Sequence, residues 1–178
     1  MKNFFIIMTM LLLVVFATHY SLKPDIIDDN IDIVYELKND TDAKKNIQLQ
    51  LNINNIERID FDENNFYHVY IFLPHTIEST MMNYPDSQDN DYHIGMDYRT
   101  YDIAVDTLKE QNVNIVDKSK SSTVDGFFYY GKKSSVELNY YYIPNADNNE
   151  KGYIVFSYYG KKLWKDLSWA KVYPITLQ

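Results

Sequence analysis

From Ile31 the chain settles into a period of two. Ile31, Ile33, Tyr35 and Leu37 alternate with Asp32, Val34 and Glu36, and Ile47, Leu49, Leu51 and Ile53 alternate with Gln48, Gln50 and Asn52. Successive side chains of a strand point to opposite faces, so this spacing predicts two strands, each with one dry and one wet face. The intervening NDTDAKKN is turn chemistry, and the pair is expected to close as a hairpin. The run FYHVYIFLP, residues 66 to 74, is apolar on both parities. That is the pattern of a central strand covered on both faces, with Pro74 as its stop. The next 22 residues, HTIESTMMNYPDSQDNDYHIGM, are rich in turn formers and read as a functional loop or a locally disordered connection.

The period then changes to that of a helix. Asp97 is placed to cap a helix over residues 98–111 whose inward stripe is Tyr101, Ala104, Val105 and Leu108, and Asn112 is placed to end it in a left-handed conformation. VNIV at 113–116 resumes as strand. Strand 66–73, this helix and strand 113–117 compose a crossover unit, parallel if the two strands share a sheet. Strands at 124–130, 134–143 and 152–159 are expected to form an antiparallel meander. A two-residue loop at Gly131 and Lys132 sets Phe127 opposite Val136, which places Val136, Leu138, Tyr140 and Tyr142 on the face of Phe127 and Tyr129. Beyond Lys162, the spacing of Leu163, Trp164, Leu167 and Ala170 fits a short C-terminal helix. The resulting expectation is an α+β fold: a mostly antiparallel mixed sheet of about seven strands, one main helix and a short C-terminal helix.

The N-terminal segment follows a different rule. After Lys2 and Asn3, residues 4–17 are apolar except for Thr9. A run of 14 residues suits the core of a signal peptide and falls short of the roughly 20 that span a bilayer. Val15 and Ala17 fit a cleavage site after Ala17. The alternative is an uncleaved anchor extending through Tyr20. The domain reading is therefore a signal peptide at 1–17, a flexible lead-in at 18–30 carrying Pro24, Asp25, Asp28 and Asp29, and a single globular domain at 31–178. The expected location is extracytoplasmic, periplasmic or secreted, or else N-terminally membrane-anchored.

Charge and composition narrow the function. Loss of residues 1–17 removes one lysine and no acid, leaving 16 basic against 25 acidic residues, a net charge of −9. Only Arg58 and Arg99 supply guanidinium groups. Both facts argue against nucleic acid, and a membrane partner is expected only if the N-terminal segment is retained. The chain has no cysteine, which removes disulfides, thiol nucleophiles and thiolate metal sites together. Glycine-rich phosphate loops and the G-x-S-x-G serine motif are absent, so no cofactor is expected.

Two constellations remain. FFYYGKK at 127–133 returns as FSYYGKK at 156–162, but the flanking sequences diverge, which points to repeated strand-end chemistry more than to duplication. Glycine is expected there for its positive φ. With Phe127, Tyr129, Ile154, Phe156 and Tyr158 inward, Phe128, Tyr130, Tyr141, Tyr153 and Tyr159 fall on the outward face beside Glu137 and Asn139. Five rings with polar rims are a candidate surface for a protein or glycan partner in the envelope, unless the helix or the C-terminal segment covers them. In the long loop, His75, Glu78 and His93 form a weaker candidate for a metal or hydrolytic site. The functional expectation is an exported, non-enzymatic binding module, with an inhibitor or immunity-type role as one form of it. A small envelope hydrolase and a membrane-anchored structural accessory are the alternatives.

Overall fold

The computed structural model describes residues 2–39, 45–59, 61–73, 78–81, 92–94, 97–113, 123–129, 135–143 and 150–177. Over these the chain forms helix α1 (Lys2–Ser21), strands β1 (Ile31–Asn39), β2 (Lys45–Ile53), β3 (Asn65–Leu73), β4 (Glu78–Met81) and β5 (Tyr92–Ile94), and helix α2 (Tyr98–Glu110). Strands β6 (Thr123–Tyr129), β7 (Ser135–Ile143), β8 (Glu150–Lys162), β9 (Lys165–Asp166) and β10 (Trp169–Leu177) complete it. Every described strand pairing is antiparallel. The strands divide into a sheet ordered β1-β2-β7-β4 and a second ordered β10-β8-β3-β6-β5, with β9 hairpinned onto β8. The fold is α+β, built in three layers: sheet, sheet and helix.

The alternation read from the sequence sets those layers. Ile31 and Ile33 of β1 and Ile47, Leu49, Leu51 and Ile53 of β2 turn one dry face toward Tyr67, Val69, Ile71 and Leu73 of β3 and Ile154, Phe156 and Tyr158 of β8. This is the inter-sheet core. The opposite face of the second sheet carries Tyr70, Phe72 and Val155, and the α2 stripe of Ala104, Val105 and Leu108 seals it. All nine residues of β3 are buried, because the strand lies between both layers with β8 and β6 as its neighbours.

Helix α2 is fixed at both ends. The Asp97 carboxylate accepts from the Arg99 backbone N–H at 2.9 Å, an N-cap bond. At the other end Asn112 adopts φ 58°. There the Val113 N–H reaches the Leu108 carbonyl at 3.0 Å and the Asn112 N–H the Lys109 carbonyl at 2.9 Å, the pair of bonds of a Schellman terminator. Below the first turn runs a buried polar chain. His68 Nδ1 lies 2.9 Å from Thr100 Oγ1, Tyr70 Oη lies 2.7 Å from the same hydroxyl, and Ser157 Oγ donates to the Thr100 carbonyl at 2.7 Å. These bonds pair His68 Nδ1 and the Tyr70 and Ser157 hydroxyls, which β3 and β8 carry beneath the helix, with Thr100.

The structure changes four sequence expectations. Residues 163–177, expected to include a short helix, form the β8–β9 turn and strand β10. Pro174 and the alternation of Trp169, Lys171, Tyr173, Ile175 and Leu177 favour an edge strand over a helix interior. The meander from residue 124 to 159 does not form: β6 pairs with β3 and β5, whereas β7 pairs with β2 and β4. Phe127 therefore stands opposite Val69 and Ile94, and Val136 opposite Leu51. Of the residues expected to turn inward on β7, Tyr142 is buried in the inter-sheet core. The pairing partners did not survive, because a sandwich can send consecutive strands to different sheets. The lead-in was expected to be loose, yet Ile26 is fully buried. The glycine of the second GKK sequence also has another reason than positive φ. A Cβ on Gly160 would sit 2.5–2.7 Å from the Tyr158 ring, so what excludes a larger residue is close approach. Gly131 and the 113–117 strand lie outside or almost outside the described residues.

Helix α1 projects apolar side chains from Phe4 to Phe16 into solvent. Among the described residues no helix is long and apolar enough to cross a membrane.

Gly160→Ala is expected to lower stability by about 1–3 kcal/mol, an overpacking cost, because the Tyr158 ring is buried and its hydroxyl is tied at both sides. A urea midpoint equal to that of the native chain would show that the ring has room to yield. A second outcome concerns acid. Burial holds the His68 imidazole down from 6.5 to about 4, so between those values the unfolded chain binds a proton that the folded chain refuses. Stability is complete above pH 6.5 and falls as the pH drops toward 4, by on the order of 3 kcal/mol. Asp97, held below its ordinary value chiefly by its hydrogen bonds from Arg99, adds its own loss only at still lower pH. Urea midpoints for the native chain and His68→Gln across pH 4–7 check this: the variant should lack the slope in that window.

Candidate functional site

The lead-in and the edge strand build a cleft together. Lead-in residue Ile26 is drawn into the inter-sheet core, and its carbonyl accepts from Trp169 Nε1 at 2.9 Å. Next to it, the Asp25 backbone N–H donates to Tyr158 Oη at 3.2 Å, Tyr158 Oη donates to Asn65 Oδ1 at 2.8 Å, and Asn65 Nδ2 donates to Asp25 Oδ2 at 2.9 Å. Lys162 pairs with the same carboxylate. The lead-in is thereby stitched to β3, β8 and β10.

The Trp169 indole is held on its inner side by rings. Its centroid lies 5.4 Å from Phe156 and 6.2 Å from Tyr158, within the range of favourable aromatic pairs. The indole itself is half-buried. It lines an open cleft of about 370 Å³ with Pro24, Ile27, Asp28, Ala170 and Lys171. At the rim, Lys171 Nζ lies 2.6 Å from Asp28 Oδ1 and 5.3 Å from the centre of the Tyr173 ring. The Asp28 hydrogen bond raises the Lys171 pKa, which keeps the ammonium charged. Tyr173 is also raised, by burial first, so its phenol is neutral near pH 7.

Chemically the cleft offers one fixed ring plate, two apolar walls, a carboxylate that accepts and an ammonium that donates. Among the described residues its lining is Pro24, Ile27, Asp28, Trp169, Ala170 and Lys171. This set suits a ligand with an apolar patch ringed by hydroxyls. A smaller hollow of about 250 Å³ lies on the wet face of the β1–β2 hairpin, lined by Val34, Tyr35, Glu36, Lys38, Gln48 and Gln50. There Lys38 pairs with Glu36 at 3.2 Å and also donates to the Gln48 side-chain oxygen Oε1.

Of the five aromatic residues singled out from the sequence, the four among the described residues fall in both sheets. Phe128 lies in β6 opposite His93, and Tyr141 lies in β7 of the other sheet, opposite Asn46 and Thr80. Tyr153 packs against the cluster beneath α2. Tyr159 lies 5.3 Å from Phe66, and the Arg99 guanidinium stands 4.5 Å from the Phe66 ring centre and 4.8 Å from that of Tyr159. Asp97 holds the guanidinium at 2.8 Å and 3.0 Å, and the Glu63 carbonyl accepts from it at 2.7 Å. This cluster is a clasp between α2 and β3–β8. Tyr130 and His75 lie outside the described residues. Glu78 opens β4 in one sheet and His93 sits in β5 of the other. Among the described residues no group of three or more histidine, cysteine or acidic side chains is arranged to hold a metal ion.

Sequence reasoning missed the Trp169 cleft because it placed that residue on a helix. The signal was present: WAKVYPITL is rich in β-branched and aromatic residues, ends in an alternation from Tyr173 to Leu177, and contains a proline that a helix interior excludes. Asp28 and Ile27 had no sequence signal, since only their contact with β10 gives them a role.

No protein-family model and no curated protein matches the sequence. Among solved structures, the Streptococcus suis adhesion Fhb is similar at a TM-score of 0.47 and 13% identity, over 83% of this chain and 88% of that one. A Streptococcus suis SadP mutant gives 0.47 and 13%, over 84% and 86%. Fhb bound to the disaccharide receptor Gb2 gives 0.45 and 15%, over 84% and 88%.

Proposed function

We propose that this chain is an exported, non-enzymatic binding module that holds a glycan in the Trp169 cleft. The observation that carries the reading is the fixed, half-buried indole lining an open cleft whose rim carries the Asp28–Lys171 ion pair. A sugar ring presents an apolar face of C–H bonds and an equatorial belt of hydroxyls. The indole stacks on the first, and the carboxylate and ammonium bond the second. Because the ring is already held by Ile26, Phe156 and Tyr158, little side-chain freedom is lost on binding. The cleft volume is at the lower end of the roughly 300–1,000 Å³ usual for small-ligand sites, which suits one or two sugar residues. Asp28 and Lys171 are partly exposed, so their ion pair is worth little to the free protein and exchanges readily for ligand hydroxyls.

The full chain applied to an array of neutral and acidic oligosaccharides should retain a defined subset. For the best of these, Asp28→Ala and Lys171→Ala should each weaken binding about tenfold, equal to about 1.4 kcal/mol, with an unchanged urea midpoint. Retention of no glycan, or an affinity in both variants unchanged from that of the native chain, would sink the reading.

A further inference from the structure

The turn between β8 and β9 is built against the pattern of the rest of the surface. Its two residues, Leu163 and Trp164, are 67% and 55% exposed, and Leu163 adopts φ 55°. The first position of such a two-residue turn usually takes glycine, and a left-handed conformation is costly for a branched side chain. An exposed leucine held there contributes nothing to the core and adds strain, so folding does not account for it. Lysines flank the tip: Lys161 is exposed, Lys162 pairs with Asp25, and Lys165 faces the end of α1.

That last contact is the second observation. Lys165 Nζ donates to the carbonyls of His19 at 3.2 Å and Leu22 at 3.0 Å, groups that a helix end leaves without partners in its own ladder. A cation at a helix C-terminus also meets the negative end of its dipole. Trp164 Nε1 donates to His19 Nδ1 at 2.7 Å, and the two rings stack at 6.1 Å and 15°. The C-terminal end of α1 is thus joined to the Leu163–Trp164 tip. The apolar surface of α1, from Phe4 to Phe16, and the tip belong to one end of the molecule.

We infer that, in the chain that keeps α1, this end rests on a lipid bilayer, with Leu163 and Trp164 inserted at the interface. The apolar run of α1 covers 14 residues, about 21 Å at 1.5 Å per residue. It therefore enters a hydrocarbon core of about 30 Å without needing to traverse it. A helix apolar on all sides has no face suited to water. His19 and Trp164 then lie at headgroup depth, where tryptophan concentrates, and the exposed Lys161 beside the tip reaches the phosphates. The inference is independent of the Trp169 cleft, which is lined by other residues of the lead-in and β10.

The chain has two tryptophans, so Trp169→Phe leaves Trp164 as the only indole. The full-length variant is reconstituted into phosphatidylcholine vesicles with and without lipids brominated near the headgroup end of their acyl chains. Brominated lipid should quench Trp164 emission severalfold more than aqueous iodide does. Leu163→Asp, which suits the left-handed turn but not lipid, should reverse that order. Should Trp169→Phe fail to fold, the native chain measured against Trp164→Phe gives the same reading by difference. Quenching by iodide with no response to brominated lipid would overturn the inference, as would a Leu163→Asp variant quenched by brominated lipid like its parent.

Discussion

A strand with no face left for water dictates the rest of this structure. All nine residues of β3 are buried, and a strand in that position needs neighbours on both edges and layers on both faces. β8 and β6 supply the edges; the β1–β2–β7 side of the first sheet supplies one layer and α2 the other. The strand is not purely apolar, since Asn65, Tyr67, His68 and Tyr70 lie along it. Each polar atom buried without a partner costs on the order of 1–3 kcal/mol. Thr100 answers His68 and Tyr70 from the helix side, and Asp25 with Tyr158 answers Asn65 from the lead-in side. The positions of α2 and of residues 25–28 therefore follow from the needs of one strand.

This dependence also explains why the cleft exists. Ile26 enters the core and Asp25 bonds Asn65 and Tyr158, so the lead-in must pass the edge of the second sheet at the height of Trp169. Pro24 and Ile27, on either side of the anchored pair, become walls, and Asp28 arrives opposite Lys171. A surface segment has been given a fixed shape by bonds made one or two residues away. Pro174 interrupts the β10 edge further along, one of the ways by which sheets discourage pairing with foreign strands.

Much of the fold was legible because it is written in local periodicity. The β1–β2 hairpin, the double-sided burial of β3, and the α2 stripe with its Asp97 cap and Asn112 terminator all depend on residues within one element. What was not legible depends on choices between distant elements. Val136 fits Phe127 or Leu51 equally well by parity, and only the three-layer arrangement selects Leu51. Leu163, Trp164, Leu167 and Ala170 match a helical spacing by coincidence of a turn followed by a strand. For the site, the strands that carry the aromatic positions pair across both sheets, so Tyr141 falls in the first sheet and Phe128, Tyr153 and Tyr159 in the second. Asp28 and Trp169 acquire their relation through tertiary contact alone, and no spacing in the chain encodes it.

The absence of cysteine gives these long-range contacts further weight. Without covalent ties, segments far apart in sequence are joined by the tips of aromatic side chains, on buried rings at Tyr158 and Tyr70 and on exposed ones at Tyr35 and Trp164. Tyr158 Oη links β8 to both Asn65 and Asp25, Tyr70 Oη reaches the Asp97 carbonyl at 3.1 Å, and Tyr35 Oη crosses from the first sheet to the Pro174 carbonyl at 3.2 Å. Trp169 and Trp164 do the same for the lead-in and for the end of α1. A hydroxyl or indole N–H on a buried ring is directional and has little rotamer freedom left to lose, so each such bond fixes orientation as well as distance. Burial raises the Tyr158 phenol to about 12 and Tyr70 in the same direction, so both remain neutral donors at neutral pH. The chain's 17 tyrosines are thus partly a cross-linking system, and an aromatic-rich sequence here is first a statement about how the sheets are held together and only at the Trp169 edge one about what they hold.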